Sequence, residues 1–212
     1  MYIQWCGQSC FKFQAKDTTI VTNPYGRESG LAPLRTRADI VLVSNSNKEN
    51  NNVESLKENP FVIDGPGEYE RMGVAIKGIT SYQDNKEGQD KGSNTIYIIN
   101  IEGIRICHLG DLGHILTSKQ VERINGVDIL LTPVGEHNLS INKITDIIGE
   151  IEPRLIIPMH YKIPQVKDKL AAVEKFLSEM GAKKEKVIPK LVIKKGNLPT
   201  EETTIQVLDY SR

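Results

Sequence analysis

The first half of the chain alternates short apolar stretches with turn residues. Residues 1–5, 10–15 and 18–22 are rich in aromatic and β-branched side chains and are parted by Gly7 and a Lys16-Asp17 turn, which predicts a meander of three strands. Residues 39–44 (DIVLVS) form a nearly continuous apolar run, the pattern of a strand covered on both faces. Residues 60–70 (PFVIDGPGEYE) read as a strand running into a tight Gly-Pro-Gly turn. Residues 73–79 predict a further strand, and residues 94–111 a hairpin turning at Glu102-Gly103.

From about residue 115 the period changes. Residues 117–124 predict a helix with Thr117 as N-cap and Gly126 just past its end. Ile141, Ile144, Ile147, Ile148 and Ile151 recur at helical spacing, and residues 165–182 (QVKDKLAAVEKFLSEMGA) read as an amphipathic helix closed by Gly181. Residues 127–134, 154–160, 190–196 and 203–210 predict strands between and after these helices. The polar stretch 83–94 (QDNKEGQDKGSN) reads as a mobile surface loop, with Asp84 and Asp90 as solvated charges.

A meander followed by β-α units predicts sheets packed face to face with helices outside, and sites in such layouts gather at the carboxyl ends of strands. Five polar marks fall at such ends: Asn23-Pro24, the tract from Asn45, Asp111, Pro133-Val134-Gly135, and His160. They predict one shared edge.

Composition narrows the partners. Lys+Arg and Asp+Glu both total 27 in 212 residues, so nothing points to nucleic acid, a membrane surface or a strongly charged partner. The lysines of residues 181–196 are interleaved with apolar positions and lack an aromatic platform, which reads as a solvated face around an edge strand. Apolar runs are too short to cross a bilayer, and residues 1–10 have polar residues interspersed throughout, unlike a secretion signal. Three cysteines, Cys6, Cys10 and Cys107, suggest reduced thiols and a cytoplasmic location. Cys6 and Cys10 have a spacing seen in some zinc sites, but no second Cys/His pair accompanies them, and buried strand cysteines are the simpler reading.

Segments 7–13 (GQSCFKF), 22–26 (TNPYG), 38–52 (ADIVLVSNSNKENNN), 64–70 (DGPGEYE), 106–114 (ICHLGDLGH), 130–135 (LLTPVG) and 151–161 (IEPRLIIPMHY) carry a family likeness. In order and spacing, residues 1–165 resemble the metallo-β-lactamase superfamily, in particular its small, single-domain, Zn-dependent-hydrolase-like branch. The resemblance implies an α/β fold, a four-layer αββα sandwich over residues 1–212 as one domain, with a metal site along one edge.

The family's metal motif, His-x-His-x-Asp-His, follows a core strand. Here that slot reads Asn45-Ser46-Asn47-Lys48-Glu49-Asn50. A further family histidine matches Gln83, and the aspartate of the family's Asp-Pro turn matches Asn23. Asp111 matches the bridging carboxylate and His160 the last histidine, so these two remain as candidate metal ligands. Asn45, Asn47, Asn50 and Gln83 would line a former-ligand pocket. Of the other histidines, His108 reads as core, His114 as a loop residue, and His137 as a weak candidate for ligand contact.

Zinc in hydrolytic sites is held by imidazole, thiolate and carboxylate, and a neutral amide carbonyl suits it poorly. A full site is worth about 10–16 kcal/mol; two ligands of six would retain about a third, a dissociation constant around millimolar. Without the ion nothing lowers the pKa of a water toward about 7. The resemblance therefore implies a hydrolase-like protein with its zinc site lost and a binding or scaffold role toward a small molecule or protein. An alternative remains: a hydrolase of small ester, lactone or phosphate substrates, with Glu49 and Asp111 as catalytic carboxylates. Beside the carbonyls of Asn45 and Asn47, those two acids could take residual zinc or a hard divalent ion such as Mg²⁺ or Ca²⁺. Deliberate removal of ligands from an active parent would leave the same pattern.

Overall fold

The computed structural model describes residues 1–182 and 186–210. The meander forms as expected: β1 (Tyr2–Gly7), β2 (Cys10–Ala15) and β3 (Thr18–Thr22) pair antiparallel in turn. β4 (Ile40–Leu42) and β5 (Phe61–Ile63) add parallel to β3, and the two-residue β12 (Leu191–Val192) covers the far edge of β1. The order is β12-β1-β2-β3-β4-β5.

The second sheet contains β6 (Gly67–Arg71), β7 (Val74–Tyr82), β8 (Ser93–Ile101), β9 (Ile104–His108), β10 (Ile129–Pro133), β11 (Leu155–Met159) and β13 (Thr204–Ile205), in the order β13-β11-β10-β9-β8-β7-β6. β9, β10, β11 and β13 run parallel. The β8–β9 hairpin turns where expected, with Glu102 at φ 50° and Gly103 at φ 75°. Positive φ at both central residues gives the twist a two-residue hairpin needs.

The core lies between the sheets. Registers Ile3↔Phe13 and Trp5↔Phe11 put large side chains on one face, joined by Ile20, Ile40 and Leu42 against Tyr97, Ile99 and Ile106 of the other sheet. The alternate residues Cys10, Val21 and Val41, with Cys6 and Val43, face outward and are also buried, in a separate cluster with Tyr25, Leu31 and Leu34. Period-two alternation inside a continuous apolar run explains why β3 and β4 are covered on both sides. All three cysteines are buried and free.

α1 (Ser118–Ile124) starts at Thr117, whose hydroxyl accepts from Gln120 N while the Gln120 side chain reaches back, a reciprocal cap. α2 (Ile141–Ile151) buries its five isoleucines. α3 is only Val173–Glu179, a correction to the helix expected over 165–182. Its first half is drawn out by pairing: Lys162 N donates to Ala171 O and Ala171 N to Gly135 O, while Gln165 sits at φ 73°. Tertiary hydrogen bonds override helical propensity there. The helices follow the second sheet; the outer face of the first is covered, among the described residues, by turns around Arg27–Ser29 and Val53–Ser55.

Of the lysine-rich segment 181–196, residues 183–185 lie outside the described residues. Lys190 Nζ stands 5.1 Å from the centre of the Tyr2 ring, and Lys195 binds the buried Asp128 carboxylate at 2.6 Å. Among the described residues no helix is long and apolar enough to cross a membrane.

Candidate functional site

The five strand ends do meet. β3 ends at Asn23, β4 runs into Ser44-Asn45, β9 into Asp111, β10 into Pro133-Val134-Gly135 and β11 into His160, all along one edge, which the β1–β2 turn at residues 7–10 and Gln83 after β7 share. Backbone bonds lock the two sheets together at that edge: His160 N donates to Gln8 O at 3.1 Å and Thr95 N to Ser44 O at 2.8 Å. His160 holds φ 51° and Asn23 φ 42°, left-handed geometry that lets each chain turn sharply out of its strand.

Asp111 is the centre of the site and is buried. Its Oδ2 accepts from Asn50 Nδ2 at 2.6 Å and from Asn45 Nδ2 at 3.1 Å. Its Oδ1 accepts from Ser9 Oγ at 3.1 Å and lies 3.3 Å from His160 Nδ1. That last contact lacks hydrogen-bond alignment and acts through charge. The Asp111 amide is held by Asn94 Oδ1 at 2.9 Å and its carbonyl by Asn138 Nδ2 at 2.8 Å. Burial alone would raise the Asp111 pKa, but His160, His137 and the Ser9 hydroxyl hold it well below the usual carboxylate range. A carboxylate so ionised turns the N–H side of each nearby amide toward itself, which sets the orientation of Asn45 and Asn50.

Burial would lower the His160 pKa; Asp111, then Asp168 and Glu49, raise it overall. The His137 ring lies 5.0 Å from the His160 ring, centre to centre, at the exposed rim. Glu49 is half-buried, its pKa raised by burial and by Asp168.

Asn47 does not reach Asp111. It donates from Nδ2 to Gln83 Oε1 at 2.9 Å, and Gln83 Nε2 continues to Ser93 O at 3.0 Å. The Asn45 carbonyl accepts from Asn47 N at 3.1 Å and Asn50 Nδ2 at 3.3 Å, so it faces its own loop. Asn23 clamps Ser44 through two 2.8 Å bonds, Ser44 N to Oδ1 and Nδ2 to Ser44 Oγ. The structure thus gathers Asn45, Asn50, Asp111 and His160 into one cluster and Asn47 with Gln83 into an adjoining pair. The Asn45 side-chain carbonyl, expected beside Asp111 as an oxygen ligand, turns to its own loop instead, a correction to that part of the arrangement. Among the described residues no group of three or more His, Cys, Asp or Glu side chains could hold a metal ion.

Asp84 also corrects its expectation. It is buried, and its carboxylate accepts from the backbone N–H of Lys86, Gly88, Asp90 and Lys91 at 2.7–3.1 Å. Those bonds overcome the desolvation and hold its pKa at about 2. The loop 83–92 is therefore pinned from inside. Gly113 packs against it: a Cβ there would lie 1.9 Å from Gln83 O, so only glycine permits this approach.

His108 is a core histidine: Nε2 donates to Ser9 O at 2.8 Å, Nδ1 accepts from Gly110 N at 3.0 Å, and burial lowers its pKa to about 4. His114 accepts from Tyr82 N at 3.2 Å. Ser9, Asn94 and Asn138 were not among the expected site residues. For Ser9 a signal existed, its place in the β1–β2 turn at the same sheet edge.

A family model described as a beta-lactamase superfamily domain matches residues 2–160. The chain belongs to the metallo-β-lactamase superfamily. Within the superfamily, a Thermotoga maritima structure assigned as a Zn-dependent hydrolase is 33% identical and superposes with a TM-score of 0.79, covering 99% of this chain and 100% of that one. A Pyrococcus furiosus relative is 28% identical over 183 residues, 76% of this chain and 83% of its own. A Thermoplasma acidophilum relative, named a metal-dependent hydrolase, is 24% identical over 186 residues, 75% of this chain and 82% of its own.

Proposed function

We propose that this chain is a non-hydrolytic member of the superfamily, whose metal cleft is filled by a neutral amide network and which acts as a binding or scaffold protein. The observation that carries this reading is the pair of amide N–H donors on Asp111 Oδ2, from Asn45 at 3.1 Å and Asn50 at 2.6 Å. A metal ion needs that lone-pair face, and here amide hydrogens occupy it. The donor set does not suit zinc: two amides aimed nitrogen-first, a third amide paired with Gln83, one carboxylate and one histidine.

The names of the relatives favour a second reading, a metal-dependent hydrolase with an unusual site. Elemental analysis separates the two. The native protein is expected to carry substoichiometric zinc and manganese and to leave ester, lactone and phosphodiester substrates unturned. The combined change Asn45→His, Asn47→His, Asn50→His and Gln83→His should bring zinc to stoichiometry, because the strand ends already stand in place. Stoichiometric metal in the native protein, lost together with turnover on Asp111→Ala, would establish the hydrolase instead.

A further inference from the structure

The space beside Asp111, His137 and His160 amounts to ≈ 10 Å³, room for about one water. A far larger concavity lies elsewhere, on the outer face of the first sheet where turns stand instead of a helix. It measures ≈ 840 Å³, within the range of small-molecule sites.

Its lining is one-signed. Lys12 of β2, Arg27 of the turn after β3 and Arg35 of the following loop are its charged residues. Gln4 and Thr36 add polar groups, and Leu31 an apolar wall. Gln4 and Lys12 are cross-strand partners on the rigid β1–β2 pair, and Lys12 Nζ is aimed by a 2.9 Å bond to Thr36 Oγ1. Neither Arg27 nor Arg35 pairs with a carboxylate among the described residues, whereas the neighbouring Arg37 is already held by Asp39 and Glu58, each at 3.1 Å. Glu28, the acid beside Arg27, turns the other way: it lies against Gly26 and adds to the negative field at Glu49.

We propose that this groove is a binding site for a small organic phosphate, with the phosphate held by Lys12, Arg27 and Arg35 and the organic body against Leu31. Three uncompensated cations in a chain of zero net charge match the nearly dianionic charge of a phosphate monoester better than a single carboxylate. A concavity of this volume, walled by one strand pair and one loop, fits one small molecule better than an extended polymer. The site is independent of the amide cleft, so its fate leaves the reading of that cleft untouched.

Calorimetric titration of the full chain with AMP, adenosine and inorganic phosphate tests this. AMP and phosphate should saturate one site and weaken with added salt, and adenosine should not bind. Lys12→Met/Arg27→Gln/Arg35→Gln should weaken AMP at least about tenfold with an unchanged circular dichroism spectrum, and Arg37→Gln should not. Should the triple variant fail to fold, the exposed Arg35→Gln alone must still show a several-fold loss. The proposal fails if neither AMP nor phosphate saturates at millimolar concentration, if adenosine binds as well as AMP, or if Arg37→Gln is as damaging as the triple change. A single-stranded oligonucleotide binding more tightly than AMP through the same residues would replace the small ligand with nucleic acid.

Discussion

Asp111 and Asp84 are two buried carboxylates on the same sheet edge, and they are satisfied in opposite ways. Asp111 is met by side chains from two separate loops, Ser9 on one and Asn45 and Asn50 on the other, with His160 from a third beside them. Asp84 is met by backbone N–H groups of its own loop. A carboxylate held by side chains depends on the identity of each partner, so substitution of those partners can rewrite its chemistry. One held by backbone depends only on the path of the chain. In the proposed reading, histidines gave way to asparagines around the first kind, while the second kept the loop geometry constant.

The comparison can be broken in three places. Asp111→Ala leaves the buried amides of Asn45 and Asn50 without their acceptor, and should cost roughly 3 kcal/mol in denaturant unfolding. A loss under about 1 kcal/mol would mean the network is not what holds that carboxylate. Asp84 gives a smaller, local effect with a definite sign. Its folded pKa of about 2 lies below the ordinary aspartate value, so its contribution is complete above that ordinary value and lost as pH falls through the folded one. Amide exchange at Lys86, Gly88, Asp90 and Lys91 should speed up in that acid window, ahead of exchange in β8; equal rates throughout would contradict the pinning. The smallest effect belongs to Asn47→Ala. Asn47 is exposed and bonded only to Gln83 and its own loop, so the unfolding free energy should move by no more than about 0.5 kcal/mol.

What the sequence disclosed follows the same division. Most of the strands, the Thr117 cap, the isoleucine helix and the meeting of Asn45, Asp111 and His160 at one edge were readable because period and motif lie in side-chain identity. Gly67–Arg71, by contrast, expected as a turn, is a strand, and the expected strands 190–196 and 203–210 pair over two residues each. Asp84 was misread as solvated because its partners are backbone N–H groups, which every residue but proline carries and no pattern marks. The segment 165–172 was misread as helix because Ala171 and Lys162 answer to partners distant in the chain. Ser9 and Asn94 were missed for a related reason: each is an ordinary turn or strand residue until the sheets are packed.

The turns that stand in for a helix over the first sheet also decide where the molecule would come apart. Residues 24–39 have few hydrogen bonds within themselves, and they roof Cys6, Val21, Val41 and Val43. Heat or a protease acting there is expected to lift the roof before it disturbs the bonded edge around Asp111. The expected first damage to this protein is therefore a bared face of valines, sticky toward its own copies, in a molecule whose asparagine-lined edge is still intact.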